Sequence, residues 1–537
     1  MLRPPIKVYQ PSEAIAVERD VPIATGDGTV LRANVFRRPG DARWPVILSI
    51  HPYGKDKLPE RRWGHWSFSF QYRILRQPAP IRFSSLTGWE APDPAWWVAK
   101  GFAVVNADLR GCGHSEGTAQ LLSPQEGRDV HDVVQWAGEQ PWSDGRIVMV
   151  GVSYLAISQY GAAALRPPAL RVIVPWEGFS DPYRDFALPG GVRELGFMRV
   201  WGTLLRRTVR QAYDLEVMQR RHPLRDAFWE SLSPDLSKID VPMLVCGSFS
   251  DQSLHTRGSI RAFTNAKSNH ARLYTHRGGK WSTFYSETAL AEQLAFIKGV
   301  LDGSAPARRS VRLEVREDAT TVHAVREESR WPPARTAWRP LYLSGPGVLA
   351  AEPSVGDERV SFATRSQVAA FTWTFTEQTE CTGPMSARLW LELNGCADAN
   401  LYVGVEKWRD GRFVPFEGSF GYGRDRVATG WQRVALRRTD PRLSAAGEPV
   451  PTCTDLEPVR QGEVVEVDIA LGPSATLFRA GEQLRLVIAS RWLAPANPLF
   501  GSFPARYARS ARGRVTLHWG TERPAHLLIP VIPSEDT

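Results

Sequence analysis

"GRIVMVGVSYLAISQY", residues 145–160, decides how the chain is read. The apolar run Ile147–Val150 ends at Gly151, Ser153 follows two residues later, and a small-residue stretch from Tyr154 reads as a helix. A hydroxyl at the joint of a buried strand and a packed helix is the pattern of a nucleophile elbow. The sharp turn lifts the serine above the sheet, and the helix start offers backbone N–H groups to an oxyanion. So tight a turn needs small neighbours, and Gly151 and Ala156 supply them. Leu155 fills the last place of the usual G-x-S-x-G, so the bare pattern is degenerate. A serine that only caps a core helix is the competing reading.

Outward from the elbow, short apolar runs alternate with helical patterns. "WPVILSIH", "GFAVVNAD", "RIVMVGV", "LRVIVPW", "VPMLVCGS" and "ARLYTH" read as buried strands. "SPQEGRDVHDVVQWAGEQ" reads as a helix with Ser123 as cap, Pro124 at its first position and Glu126 closing a capping box. A second helix starts at Ser286. Strands and helices in this alternation imply a mostly parallel sheet covered on both faces. Residues 55–95 lack periodicity and read as a long loop excursion. Residues 180–236 read as helices without a strand, an insertion above the carboxyl ends of the strands, where open α/β sheets bind ligands. After "GSAPARRS", near residue 306, period-2 alternation takes over, as in "SARLWLELNG" and "GEVVEVDIAL", and "EKWRDGRF" carries an Asp-Gly hairpin turn.

A serine nucleophile needs a base, and the base needs a carboxylate to orient it. In elbow-bearing sheets these partners follow in the order Ser, Asp or Glu, His. "VPMLVCGSFSDQSLHTRG" ends a strand in a loop with Asp251, and "ARLYTHRGGKW" ends the next at His276. The expected set is therefore Ser153, Asp251 and His276. The competing readings are a helix cap for Asp251 and a strand-end histidine bonded to a carbonyl for His276. Among the 11 histidines, His255 is set aside for its closeness to Asp251 in sequence, His114 and His131 for lying upstream in a turn and a helix, and His51 for preceding the nucleophile.

Composition narrows the classes. The 537 residues exceed one core, 43% are hydrophobic, and the formal charge of +9 is spread without a basic run. Nucleic-acid binding is not expected. The five cysteines are scattered without a C-x-x-C pair, which argues against a disulfide framework and a cysteine zinc site. No signal peptide or bilayer-length apolar stretch is evident, so a cytoplasmic location without membrane partners is expected.

These residues carry a family resemblance. "GVSYLAISQY" resembles the G-x-S-Y-x-G elbow of the CocE/NonD hydrolases, and the likeness runs nearly end to end. "IATGDGTVLRANVFRRPG" is similar to the family's opening hairpin, and "ADLRGCGHSEG" to its D-x-R-G-x-G-x-S-x-G turn. "VVQWAGEQPWSDGRIVMVGVSY" is similar to the approach to the nucleophile, and "GEVVEVDIALGPSATLFRAGEQLRLVIAS" to its C-terminal β-domain. The resemblance implies an α/β fold: an α/β-hydrolase core over 1–179 and 237–305, a helical cap over 180–236, and a jelly roll over 306–537. It also implies that Tyr53, in "HPYGKDK", donates its phenol to an oxyanion hole beside the Tyr154 backbone N–H. Two departures stand out. The family glycine three places after the nucleophile is Ala156, and aligning "KWST" to the P-W-(S/T)-H motif puts Thr283 where the base belongs. "HRGGKW" instead resembles the H-G-R-x-K-W of another branch, which places the base at His276.

The expected activity is hydrolysis of a small ester through a Ser153 acyl-enzyme, with no metal or organic cofactor. An X-Pro dipeptidyl-peptidase or an amino-acid ester or amide hydrolase is the alternative, and it needs a carboxylate for the substrate's α-amino group. Glu177 and Asp181 are the candidates, with a turn and a helix cap as their competing readings. Trp63, Trp66, Phe68 and Phe70 form an aromatic acyl pocket or bury the excursion. A catalytically silent carbohydrate- or protein-binding protein would bind through Trp390 and Trp408, for which sheet packing is the favoured reading. A homo-oligomer is compatible with the sequence.

Overall fold

The computed structural model describes residues 6–69, 71–72, 77–418, 425–493 and 505–533. β1 (Ile6–Tyr9) pairs in parallel with β7 (Ile81–Ser84) at the periphery. All six apolar runs form strands: β4 (Trp44–His51), β8 (Ala103–Asp108), β9 (Ser143–Val152), β10 (Leu170–Trp176), β11 (Met243–Cys246) and β12 (Ala271–Tyr274). They lie parallel in the spatial order β8-β4-β9-β10-β11-β12. β2 (Ala16–Ala24) and β3 (Val30–Arg37) extend the β8 edge, β3 running antiparallel to β8. Near-continuous burial along β4, β8 and β9 is what strands covered on both faces require.

The covering helices are α1 (Pro94–Ala99), α2 (Pro124–Glu139), α3 (Tyr154–Ala164), and further along the chain α7 (Thr256–Asn265), α8 (Lys280–Phe284) and α9 (Glu287–Leu301). Between β10 and β11 lie a π-helical turn (Pro182–Ala187), α4 (Phe197–Thr208), α5 (Leu215–Arg221) and α6 (Ala227–Ser231), with no named strand among the described residues there. At α2, Ser123 accepts from the N–H groups of Gln125 and Glu126. Glu126 does not close a capping box onto Ser123. It accepts the Leu122 N–H at 2.8 Å and the Tyr154 hydroxyl at 2.6 Å.

The change near residue 306 is a change of pattern more than of sheet. β13 (Arg309–Arg316) runs parallel to β12, with Leu273 opposite Val311, and β14 (Val322–Glu328) runs antiparallel to β13. The first sheet thus takes two strands from beyond the expected boundary. Alternation reveals a strand but not its partner, and Val311, Leu313 and Val315 are buried against the first core.

Beyond them the chain forms two antiparallel strand groups around a second apolar cluster. Thr379–Asn394 and Val464–Phe478 pair along their lengths in one group, and Asn400–Arg409 pairs with Gln483–Ala489 in the other. Leu389, Leu391 and Leu393 meet Leu401, Val403 and Val405 between them. Asp410 and Gly411 both have positive φ at the hairpin turn, as a type I′ turn demands. Trp390 packs on this cluster, and Trp408 donates to Glu406 under the Arg485 guanidinium. Both are thereby engaged by the sheet. No helix among the described residues is long and apolar enough to cross a membrane.

Candidate active site

Ser153 sits between β9 and α3 with φ 59° and ψ −114°, a strained conformation of the kind that functional sites retain. Gly151 is obligatory there, since a Cβ would fall 2.3 Å from the Leu155 Cβ. The Ala156 methyl is accommodated by Gly178, whose own Cβ would lie 2.7 Å from it. A glycine missing from the elbow is therefore matched by one on the facing turn.

The structure does not bring His276, the expected partner, to Ser153. The imidazole against Ser153 is that of His255: its Nε2 lies 3.3 Å from the Ser153 Oγ. Its Nδ1 is 2.5 Å from Asp251 Oδ2, and its ring stacks on Phe179. His276 is engaged elsewhere. Its Nδ1 accepts the Gly278 N–H at 3.1 Å, which leaves the proton on Nε2 to be donated to Glu177 Oε1, also at 3.1 Å. Closeness to Asp251 was the ground for setting His255 aside, yet it is what joins the pair. The His255 N–H bonds the Asp251 carbonyl, closing one helical turn, and side chains four residues apart on such a turn are neighbours. Ser153, Asp251 and His255, the three groups in contact, follow one another along the chain in the order Ser, Asp, His.

Lys280, the first residue of α8, is buried beside this pair. Its Nζ is 2.6 Å from Asp251 Oδ2, 2.9 Å from His255 Nδ1 and 3.9 Å from Glu177 Oε2. Burial acts to raise the Asp251 carboxyl, but Lys280 and His255 outweigh it and hold the group well below the usual range. Burial lowers His255, and the Lys280 charge lowers it further. Burial would lower Lys280 as well, but Asp251, Glu177 and Glu90 raise it. Glu90, also buried, is pushed up to about 8 by desolvation. Glu90 and Glu177, like Ser153, have positive φ, so three strained residues share the site.

Tyr53 is buried, and its Oη accepts the indole N–H of Trp201 at 3.2 Å. Burial, and then the Glu90 charge, push its phenol well above its ordinary value, so the O–H remains a donor. The Tyr154 side chain is tied to Glu126, and its N–H opens α3, where no intrahelical acceptor exists.

The remaining candidates separate. Asp181 caps the π-helical turn through the Tyr183 and Arg184 N–H groups and pairs with Arg184 and Arg225. Glu177 belongs to the buried charge cluster. Trp63 is fully exposed at the tip of a hairpin formed by β5 (Glu60–Arg62) and β6 (His65–Ser67), so it lines no pocket. Trp66 is half-buried on β6, Phe68 packs against the first core, and Phe70 lies outside the described residues.

Glu177, Cys246 and His276 bring ligand-type atoms within 4.8 Å of one another. Burial holds the Cys246 thiol well above its ordinary value and Lys280 neighbours Glu177, a setting that suits hydrogen bonding better than a cation. In the trio Asp20, Asp56 and His114, Lys55 already pairs with both carboxylates.

The C-terminal half clamps the loops that carry these groups. Gln252, next to Asp251, donates to the Val427 carbonyl at 2.9 Å and accepts the Thr429 N–H at 2.8 Å. Arg277, next to His276, donates to the same Val427 carbonyl at 3.0 Å and to Ser474 Oγ at 3.2 Å. His255, Lys280, Trp201 and Gln252 are the residues that sequence reasoning missed. His255 left a signal in its spacing from Asp251, and Lys280 one in the K of "HRGGKW".

Sheet order, elbow and the histidine on the hydroxyl together define a serine hydrolase. Residues 27–279 match the family described as X-Pro dipeptidyl-peptidase (S15 family), and residues 307–527 match the X-Pro dipeptidyl-peptidase C-terminal non-catalytic domain. A crystal structure of a CocE/NonD family hydrolase from Staphylococcus aureus is 32% identical, with a TM-score of 0.90 over 96% of this chain and 94% of that one. The chain belongs to the CocE/NonD family of hydrolases. Cocaine esterase of Rhodococcus sp. (strain MB1 Bresler) is 23% identical over 96% of this chain and 99% of its own length. An α-amino-acid ester hydrolase shares the fold, with a TM-score of 0.70 at 16% identity over 98% of each chain.

Proposed function

We propose that the protein is a carboxylic ester hydrolase acting through a Ser153 acyl-enzyme, with His255 as general base and Asp251 as its orienting carboxylate. His255 Nε2 takes the hydroxyl proton as Ser153 attacks the ester carbonyl. Asp251 keeps the other proton on Nδ1 and stabilises the imidazolium. The negative charge that develops on the carbonyl oxygen is met by the Tyr53 O–H and the Tyr154 N–H, each donor being worth about 2.7–4 kcal/mol of barrier. His255 then returns the proton to the leaving alkoxide, and water repeats the attack on the acyl-enzyme. The observation that carries this reading is the 3.3 Å contact of Ser153 Oγ with His255 Nε2.

An ester is favoured over a dipeptide amide because the two carboxylates considered for an α-amino group are occupied, Glu177 by His276 and Lys280, and Asp181 by a helix start and two arginines. A jelly-roll topology for the C-terminal sandwich belongs to the same reading. Ser153→Ala is expected to abolish both turnover of a p-nitrophenyl ester and labelling by a fluorophosphonate. Retained labelling would name another nucleophile, and faster turnover of a Gly-Pro amide than of the ester would favour the peptidase reading.

A further inference from the structure

The buried charges around His255 exceed what a serine, an imidazole and a carboxylate require. The Lys280 ammonium touches both members of the Asp251–His255 pair, two donors converge on Asp251 Oδ2, and among the described residues Oδ1 has no hydrogen-bond partner. An ammonium so placed has a choice of acceptor that decides what the imidazole can do. If it donated to Nδ1, the imidazole proton would sit on Nε2, and the atom facing Ser153 could accept nothing. If it donates to Asp251, Nδ1–H turns to the same carboxylate and Nε2 is left bare.

We propose that Lys280 is a positioning residue that fixes the tautomer and charge of His255. Pinned by Asp251, with Glu177 and His276 as its counterweight, it keeps the carboxylate ionised and the resting imidazole neutral. The inference rests on His255 being the base. It also gives His276 a task, since its Nε2–H holds the Glu177 carboxylate that faces the ammonium.

The groups that face His255 come from four elements: Ser153 at the β9–α3 elbow, Asp251 in the loop after β11, Lys280 on α8, and Glu177 after β10, with the Phe179 ring against its face. Lys280 opposes protonation of the imidazole, while Asp251 and Glu177 favour it. Removing the ammonium and removing the Glu177 charge should therefore move the acid limb of the pH–rate profile in opposite directions, which a merely structural defect does not do.

The experiment is the pH dependence of kcat/KM on a p-nitrophenyl ester for wild type, Lys280→Met and Glu177→Gln. The acid limb is expected to rise by about 1–3 pH units in K280M and to fall in E177Q. An equal loss at every pH in both variants overturns the proposal. Should K280M fail to fold by circular dichroism, E177Q decides alone, and an unmoved limb overturns it. An H255A variant that keeps turnover and the wild-type limb overturns the underlying assignment and this proposal together. Loss of turnover in H255A with unmoved limbs in K280M and E177Q overturns this proposal alone.

Discussion

Trp201 donates its indole N–H to Tyr53 Oη across 3.2 Å, joining α4 to the loop that follows β4. Because the indole can only donate, the phenol oxygen receives that bond and its own proton stays available to an oxyanion. Trp201→Phe keeps most of the ring packing and removes the bond. It should lower kcat about 5-fold, the worth of one hydrogen bond near 1 kcal/mol. Tyr53→Phe should lower it about 10²–10³-fold. Steady-state kinetics on both variants and on the double variant check this: W201F should add nothing once Tyr53 is phenylalanine.

The two histidines should separate in a pairwise comparison. His255→Ala is expected to lower kcat by at least about 10⁴-fold, as loss of a triad base does. His276→Ala removes only the Glu177 anchor and should lower kcat by about 10–100-fold, the range of one lost hydrogen bond to a charged group. Stopped-flow acylation with a p-nitrophenyl ester measures both, and the reverse ranking would return the base to His276.

Gly178 and Ala156 should behave as a volume pair. Gly178→Ala drives a methyl to 2.7 Å from the Ala156 Cβ and 3.2 Å from the Ile157 N, and overpacking of this kind costs about 1–3 kcal/mol. Thermal unfolding should show a lowered Tm for G178A and partial recovery in A156G/G178A.

Glu126 gives a pH-dependent stability with a definite sign. Burial raises its carboxyl to about 7, against the hydrogen bonds from Tyr154 and Leu122. The native state therefore binds this proton more tightly than the unfolded chain does. The contribution is full below the ordinary value of 4.5 and is lost as pH rises through about 7. Glu126→Gln keeps an acceptor for both donors and cannot ionise, so the Tm of wild type relative to E126Q should fall between pH 5 and pH 8.

Much of this was legible along the chain because burial on both faces leaves a local mark. Six continuous apolar runs became six parallel strands, and Ser153 was found by the turn it needs. The imidazole beside Ser153 was not foreseen, because its position depends on a turn whose geometry a residue count hides. His255 at four residues beyond Asp251 looks too near along the chain and is correctly placed on one helical turn. Lys280 stood inside the stretch matched to H-G-R-x-K-W, but nothing there gave it a task, and only the folded sheet ends bring it to Asp251. Trp63 erred the other way: its aromatic character suggested a pocket wall, but a positive φ at a hairpin tip exposes it.

The Val427 carbonyl receives both Gln252 and Arg277, one neighbour to the carboxylate and one to the loop that leads into Lys280. The half of the molecule matched to a non-catalytic domain is, mechanically, a splint for the two loops that carry Asp251 and lead into Lys280. Loosening at that seam, by heat or by mutation far from Ser153, would reach the acid–base apparatus before it reached the nucleophile. Turnover is then expected to fade while the serine can still be modified.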